Sequence, residues 1–420
     1  NTYYSYLKIL SEELVPAMGC TEPIAIAYCA AVARDYLGCI PDSITVEASG
    51  NIIKNVKSVI VPNTNMLRGI EAAAAAGIIA GDASKKLEVI SDVSIEKQKI
   101  IEQYLKEHTI TVSLAESPNV FDIVATLYKG TSYSKVRIAN YHTNIVWIEK
   151  DGKIILTREI GVDSQDDLTN RSILNVKDIV EFANIVDIND IRDIIGRQIQ
   201  YNYAIAEEGI HNNYGANIGS LLLKEYGNDI AIRAKAMAAA GSDARMSGCE
   251  LPVIINSGSG NQGITASVPV IEFAKEIGAG EDKLYRALTI SNLVTIHQKT
   301  GIGRLSAFCG AISAGAGAAC GIAYMLDGSY DVIKHTLVNS LAIGSGMICD
   351  GAKPSCAGKI AVAVEAGLLG YNMYKNDQQF LGGDGIVKGD VESTIRSVGR
   401  LGREGMRETD REILRLMIND

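Results

Sequence analysis

From Ala307 to Leu326 the chain runs for twenty residues without a charged side chain. Such a run has to be shielded from water on every side, by lipid or by other parts of the protein. Eleven of the twenty residues are Ala or Gly, and Leu, Ile and Phe are sparse. Small side chains bury little apolar area each, so a membrane span is disfavoured. The run is expected to form a pair of buried helices at the centre of a soluble helical domain. The whole chain shares the texture: 41 of its 420 residues are Gly, only 8 are Pro, and aromatics are 6%. With 47% hydrophobic and 21% charged residues it can bury a large core, so disorder is excluded for the whole. Two or three domains are expected for this length.

Acidic residues outnumber basic ones, 49 to 40, and no segment interleaves basic with aromatic residues. Nucleic-acid binding is disfavoured on that ground. Asn1 to Leu14 carries Lys8, Glu12 and Glu13 and has no apolar stretch, so it is not read as a secretory signal. The eight cysteines are accordingly expected to be reduced, in a cytoplasmic protein.

Two periodicities divide the chain, and the fold class they point to is α+β. Residues 1–40 read as helical, with Thr21 able to cap a helix that runs to Leu37 and stops at Gly38. Between 41 and 165 the pattern is mostly alternating. Strands are expected at Ile44–Glu47, Ser58–Val61, Glu88–Ser91, Thr109–Leu114, Asp122–Tyr128, Ser134–Ala139, Asn144–Glu149 and Lys153–Glu159. Asp151-Gly152 reads as a hairpin turn, and Met66–Ala80 and Ile95–Lys106 as helices. This is an N-terminal α/β segment with a mixed or antiparallel sheet. From 166 to 420 helical periodicity dominates, after a polar linker at Asp163–Asn170, and an all-helical domain is expected. The segment 1–40 is expected to dock on it.

Three constellations could carry chemistry. Cys20, in Met18-Gly19-Cys20-Thr21-Glu22-Pro23, stands just before an expected helix N-terminus, where amide donors favour a thiolate. It reads as a nucleophile or base, or as a small cysteine in a tight turn. Cys309, Cys349 and Cys356 are spaced by 40 and 7 residues, unlike a zinc ribbon or a compact ferredoxin run. Each sits among Gly and Ala, so the trio reads as ligands of a bulky inorganic centre or as three unrelated core cysteines. Asn256-Ser257-Gly258-Ser259-Gly260-Asn261-Gln262-Gly263 follows an apolar run and lacks the Lys of a phosphate-binding P-loop. It reads as a cradle for a carboxylate or phosphate, through Ser257, Ser259 and Asn261, or as a polar turn. His211, in a Gly-bounded loop, is a weaker candidate, His297 reads as a helix-end cation, and Cys29, Cys39, Cys249 and Cys320 read as packing.

Together these motifs resemble the iron–sulfur L-cysteine desulfidase family, which is related to the iron–sulfur L-serine dehydratases and their α-type domain. The resemblance covers nearly the whole chain. It implies that Cys309, Cys349 and Cys356 hold a 4Fe-4S cluster and that Cys20 is the base that takes the substrate's α-proton. The implied reaction is β-elimination of L-cysteine to pyruvate, ammonia and hydrogen sulfide. The alternative is the same elimination on L-serine. A non-enzymatic alternative is an iron–sulfur redox sensor or an amino-acid-binding regulator. The Asn256–Gly263 loop, with His211, is expected to bind the amino acid, and a homo-oligomer is expected.

Overall fold

The computed structural model describes residues 2–18, 21–160, 168–303 and 306–419. In chain order the first elements are α1 (Thr2–Glu13), β1 (Pro16–Met18), α2 (Thr21–Leu37), β2 (Ser43–Ala48), α3 (Gly50–Val56), α4 (Gly69–Ala80) and α5 (Ile95–Glu107). Five strands follow: β3 (Thr109–Leu114), β4 (Asp122–Lys129), β5 (Ser132–Ala139), β6 (Ile145–Lys150) and β7 (Lys153–Thr157). Helices then take over, with α6 (Val176–Ile185), α7 (Ile188–His211), α8 (Ile218–Tyr226) and α9 (Ile230–Met246) before β8 (Pro252–Ile254). After it come α10 (Gly260–Ile277), α11 (Glu281–Ile302), α12 (Gly310–Leu326), α13 (Tyr330–Gly344), α14 (Cys356–Lys375), α15 (Val391–Arg400) and α16 (Arg407–Asn419). The expected α+β class is the observed one.

The chain divides into two compact units. One comprises Cys20–Asp166, Asp350–Lys353 and Arg411–Asp420. Its sheet has the order β3-β2-β4-β5-β6-β7, parallel between β2 and β3 and antiparallel elsewhere. The Ala-rich helices α2 and α4 pack together, and α2 lies on β4 and β5, so that Ile123, Ala125 and Leu127 are buried beneath it. Asp151 and Gly152 both take positive φ between β6 and β7, the hairpin geometry that their types favour. Two expected strands are absent. Ser58–Val61 contributes only the isolated bridge of Ile60 with Arg68, and Glu88–Ser91 ends a 3-10 turn. Val59, Val61, Val89 and Ile90 are buried nonetheless. They plug the core from coil, and that burial mimics strand alternation.

The other unit comprises Asn1–Gly19, Asp167–Cys349 and Pro354–Asp410. It is helical apart from the two-stranded β1–β8 pair, with Pro16 opposite Ile254. The expected linker at Asp163–Asn170 lies largely outside the described residues. Arg171 ties α1 into the unit through Glu12 and Glu13, its Nη2 standing 2.9 Å from Glu13.

The uncharged run is one helix, α12, rather than a pair, and it is nearly all buried. None of the described helices is long and apolar enough to cross a membrane. Glycine lets α12 approach its neighbours closely. A Cβ on Gly317 would lie 2.2 Å from Thr295 Oγ1 and 2.6 Å from the Ser291 carbonyl, and one on Gly321 would lie 2.7 Å from the Ala287 carbonyl. Residue numbers rise on α12 as they fall on α11, so those two helices are antiparallel. On another face Gly315 meets the Ala363 carbonyl and Ala319 meets Gly367, four residues further along both helices. Helices α12 and α14 therefore run parallel and start at the same end. Helix α10 runs the same way, because Gln262 meets Gly310 and Val270 meets Gly321.

A half-buried carboxylate closes another part of this unit. Glu392, in the first turn of α15, is 2.7 Å from His297 Nε2 and accepts a 2.7 Å bond from the amide of Val176 at the start of α6. His297 is thus a partner of Glu392, and the basic residue in the last turn of α11 is Lys299. Burial alone would raise the Glu392 carboxyl, but the His297 bond and charge, the Val176 amide and Arg396 outweigh it and hold it below its ordinary value. A lowered folded-state pKa stabilises the fold above the unfolded-state pKa and loses that contribution as pH falls. Glu392→Gln is expected to cost about 1–2 kcal/mol at neutral pH. In urea unfolding the gap to the parent protein should hold down to about pH 4, near the ordinary Glu pKa, and close as pH falls further through the lowered folded-state value. A gap independent of pH would contradict this.

Candidate active site

The parallel start of α10, α12 and α14 brings the candidate residues of the helical unit to one place. Cys309 is the N-cap residue of α12, with extended backbone at φ −68° and ψ 119°. Cys356 is the first residue of α14. Cys349 comes from the segment after α13, which pairs with the segment before α12 through a single antiparallel bridge, Phe308 with Ile348. The Cys309 amide donates to the Met347 carbonyl at 3.0 Å, and the Cys349 amide donates to the Ala307 carbonyl at 2.6 Å. Cys309 and Cys349 flank that bridge diagonally, so the alternation of an extended chain sends both side chains to the same side. Lys359, in the first turn of α14, donates to the Ile348 carbonyl at 2.8 Å and ties Cys356 to the same segment.

The electrostatics agree with this grouping. Burial pushes the Cys309 thiol up to about 11, and the neighbouring Cys349 and Cys356 add to the rise. The Ala311 amide and the Lys359 ammonium pull it back. A thiol in that state is protonated at neutral pH, and a bound metal centre would drive its proton off. No group of three or more His, Cys, Asp or Glu among the described residues is placed to hold a single metal ion. An iron–sulfur cluster makes a different demand, because each thiolate takes a separate iron. Cys309 and Cys349 are not bridged as a disulfide. Cys309 with the neighbouring Cys349 and Cys356 supplies thiol donors of the kind that an iron–sulfur cluster takes. The helix N-termini that carry Cys309 and Cys356 also favour the negative charge that three thiolates bring.

The glycine-rich loop lies beside these cysteines. Ser257 and Gly258 take positive φ between Asn256 and Ser259, whose backbones exchange two 3.1 Å hydrogen bonds. Asn256, missed from the sequence as an anchor, is fully buried, and its Nδ2 donates to Asn292 Oδ1 at 3.0 Å. Gln198 and Asn292 exchange bonds of 2.9 and 2.7 Å in the same network. The Ser257 hydroxyl donates to Asn256 Oδ1 at 2.8 Å, and the Ser259 hydroxyl caps α10 by accepting from the Gln262 amide. Both hydroxyls are thus engaged within the loop. Among the described residues Asn261 Oδ1 and Gln262 Oε1 are buried and have no partner. The Gln262 carboxamide occupies the space where Gly310 lacks a side chain, with Nε2 2.1 Å from the place of a Cβ. The loop is therefore one residue from Cys309. His211 ends α7 and is exposed, whereas Gly215, four residues on, reaches Pro354 just ahead of Cys356.

Cys20 lies outside the described residues. Thr21, which follows it, begins α2, and Thr21 Oγ1 is 2.8 Å from His142 Nε2. Burial lowers the His142 imidazole from its ordinary value, with Glu22 opposing. His142 sits in the β5–β6 turn against Phe121, at 4.6 Å between rings. No sequence spacing could have linked it to Thr21, 121 residues away. Arg245, in the last turn of α9, was also missed and stands over Gly260.

With the geometry in hand, comparison with known proteins places the chain. A model of the serine dehydratase alpha chain family matches residues 84–415, a stretch that holds the loop and all three cysteines but not Cys20. A UPF0597 protein of Desulfitobacterium hafniense is 62% identical over 420 residues, covering 99% of this chain and 97% of that protein. UPF0597 proteins of Lachnoclostridium phytofermentans and Treponema denticola are 52% and 48% identical, and each alignment covers 99% of this chain and at least 98% of the relative. The chain belongs to the serine dehydratase alpha-chain family.

Burial separates the remaining cysteines. Cys29 and Cys320 are fully buried, and burial raises both thiols, Cys29 to about 12. Cys249 is buried, but Cys39 is exposed and does not pack. Alkylation of the native protein at pH 8, read by mass spectrometry, should modify Cys39 first and Cys29 and Cys320 only after unfolding. Early modification of Cys320 would contradict the packing of α12.

Proposed function

We propose that this chain is an iron–sulfur lyase that eliminates the β-substituent of a free amino acid, with L-cysteine as substrate. The grouping of Cys309, Cys349 and Cys356 at the shared starting end of α12 and α14 supports the reading most. These three thiols would hold a 4Fe-4S cluster, whose iron without a protein ligand supplies a Lewis acid for the leaving group. The rest of the chemistry falls to the chain. Cys20 takes the α-proton as general base, and the β-carbon–sulfur bond breaks with release of hydrosulfide. The resulting 2-aminoacrylate tautomerises to an imine, and water converts it to pyruvate and ammonia. Asn261 and the loop around it hold the amino acid beside the cysteines. The Thr21–His142 contact fixes the first turn of α2, directly after Cys20.

L-Serine is the second reading, and the family description favours it. The elimination is the same, with hydroxide leaving. Protein purified without oxygen should be brown and should form pyruvate from L-cysteine or L-serine, and the kcat/KM ratio would name the substrate. A cluster-loaded protein that turns over neither would overturn the lyase reading in favour of a redox sensor or regulator. Ser in place of Cys309, Cys349 or Cys356 should abolish iron and sulfide binding, whereas Cys320→Ser should not. Cys20→Ser should keep the cluster absorbance and lower turnover on the order of 10²–10⁴-fold, the usual worth of a general base. Turnover near the parent rate would assign the proton transfer to another residue.

A further inference from the structure

Helix α9 runs antiparallel to α10, since Gly241 meets Ile264 and Arg245 meets Gly260. The last turn of α9 therefore lies at the start of α10. There the Arg245 guanidinium covers Gly260, with Nε 2.3 Å and Cζ 2.6 Å from the place a Cβ would take. Glycine at that position admits the guanidinium; any other residue would displace it. Arg245 is half-buried, and no hydrogen bond or ion pair engages it among the described residues. On α9 the acidic residue Asp243 lies two residues before Arg245; its Oδ2 accepts from the Gly219 amide at 3.0 Å, and its buried Oδ1 has no partner among the described residues. A guanidinium partly removed from water without a partner carries a desolvation cost that a bound anion would offset. One and two residues beyond Gly260, Asn261 Oδ1 and Gln262 Oε1 are two buried acceptors without donors among the described residues. The first turn of α10 thus carries a cationic donor group over Gly260 and two acceptors at Asn261 and Gln262, and Gln262 touches the residue that follows Cys309.

We propose that Arg245 pairs with the α-carboxylate of the substrate and that the Asn261 and Gln262 carboxamides take its α-ammonium group. This deepens the proposed lyase reading and rests on it. It moves the carboxylate from the loop's hydroxyls to a side chain outside the loop. It also defines the ligand class as a free zwitterionic amino acid. Esters and amides lack the anion for Arg245, and N-acyl or deaminated analogues lack the donor for the carboxamides.

Titration calorimetry of anaerobically loaded protein tests this with three ligands that have no leaving group. L-Alanine keeps both charged groups, L-alaninamide lacks the carboxylate, and propanoate lacks the ammonium. The parent protein should bind L-alanine most tightly. Arg245→Met should weaken L-alanine by about 10- to 100-fold, the worth of a charge-assisted pair, and leave L-alaninamide unchanged. Arg245→Lys should retain part of the affinity. Asn261→Ala should weaken L-alanine and leave propanoate unchanged. Gly260→Ala, which keeps the charge but displaces the guanidinium, should reproduce the selective loss of Arg245→Met. Unchanged L-alanine binding by Arg245→Met, or equal losses for L-alanine and L-alaninamide, would overturn the assignment. So would tight binding of inorganic phosphate by a parent protein that ignores L-alanine. The two claims fail separately. Loaded protein that binds L-alanine through Arg245 but forms no pyruvate refutes the lyase reading alone. Protein that forms pyruvate while Arg245→Met keeps the parent's preference for L-alanine over L-alaninamide refutes this assignment alone.

Discussion

Three helices of the helical unit, α10, α12 and α14, run in the same direction, and close glycine and alanine contacts hold them together. Gly315 against Ala363, Ala319 against Gly367 and Gly321 against Val270 each remove space for a larger side chain. Those contacts fix the relative height of the helices, so their N-termini share one end. Each N-terminus leaves amide groups unpaired and carries the positive end of the helix dipole. Cys309, Cys356 and the Asn256–Gly263 loop stand at these three ends, and Cys349 joins them through the Phe308–Ile348 bridge. The uncharged, small-residue run that looked at first like a membrane question is the packing device that assembles the site.

That arrangement is unusual in what it asks of the thiols. The same dense packing that brings them together also buries Cys309 and raises its thiol. Left alone, that thiol is a poor nucleophile. With a cationic inorganic centre the balance inverts, because the metal replaces the proton and the helix ends offset the charge. Cys29 and Cys320, whose thiols burial raises with no other cysteine contributing among the described residues, are packing residues by contrast.

Much of this was legible in the sequence because local pattern carried it. The β2–β7 alternation, the Asp151-Gly152 turn and the long helical periods on either side of β8 each depend on nearby residues. Where the reading failed, distant partners decided. Val59 and Val89 are apolar because coil plugs the core, so alternation suggested strands that do not form. Helix α10 begins at Gly260, inside the stretch that reads as a polar turn, because a capping Ser259 and tight packing override glycines and the internal Pro269. The cysteine trio was legible only as three residue types in Gly-rich settings. Its convergence comes from helix direction, which no spacing of 40 and 7 encodes. Arg245 and His142 were invisible for the same reason: each acts across a contact between elements far apart in the chain.

The central claim is that Cys309, Cys349 and Cys356 ligate three irons of a four-iron cluster and leave the fourth for the amino acid. Mössbauer spectroscopy of protein loaded with ⁵⁷Fe, before and after addition of L-serine or L-cysteine, reads this directly. The account predicts a four-iron spectrum in which one iron in four changes its parameters when the amino acid binds while the other three do not. A spectrum without a four-iron cluster, or one that the amino acid leaves unchanged at saturating concentration, would contradict it.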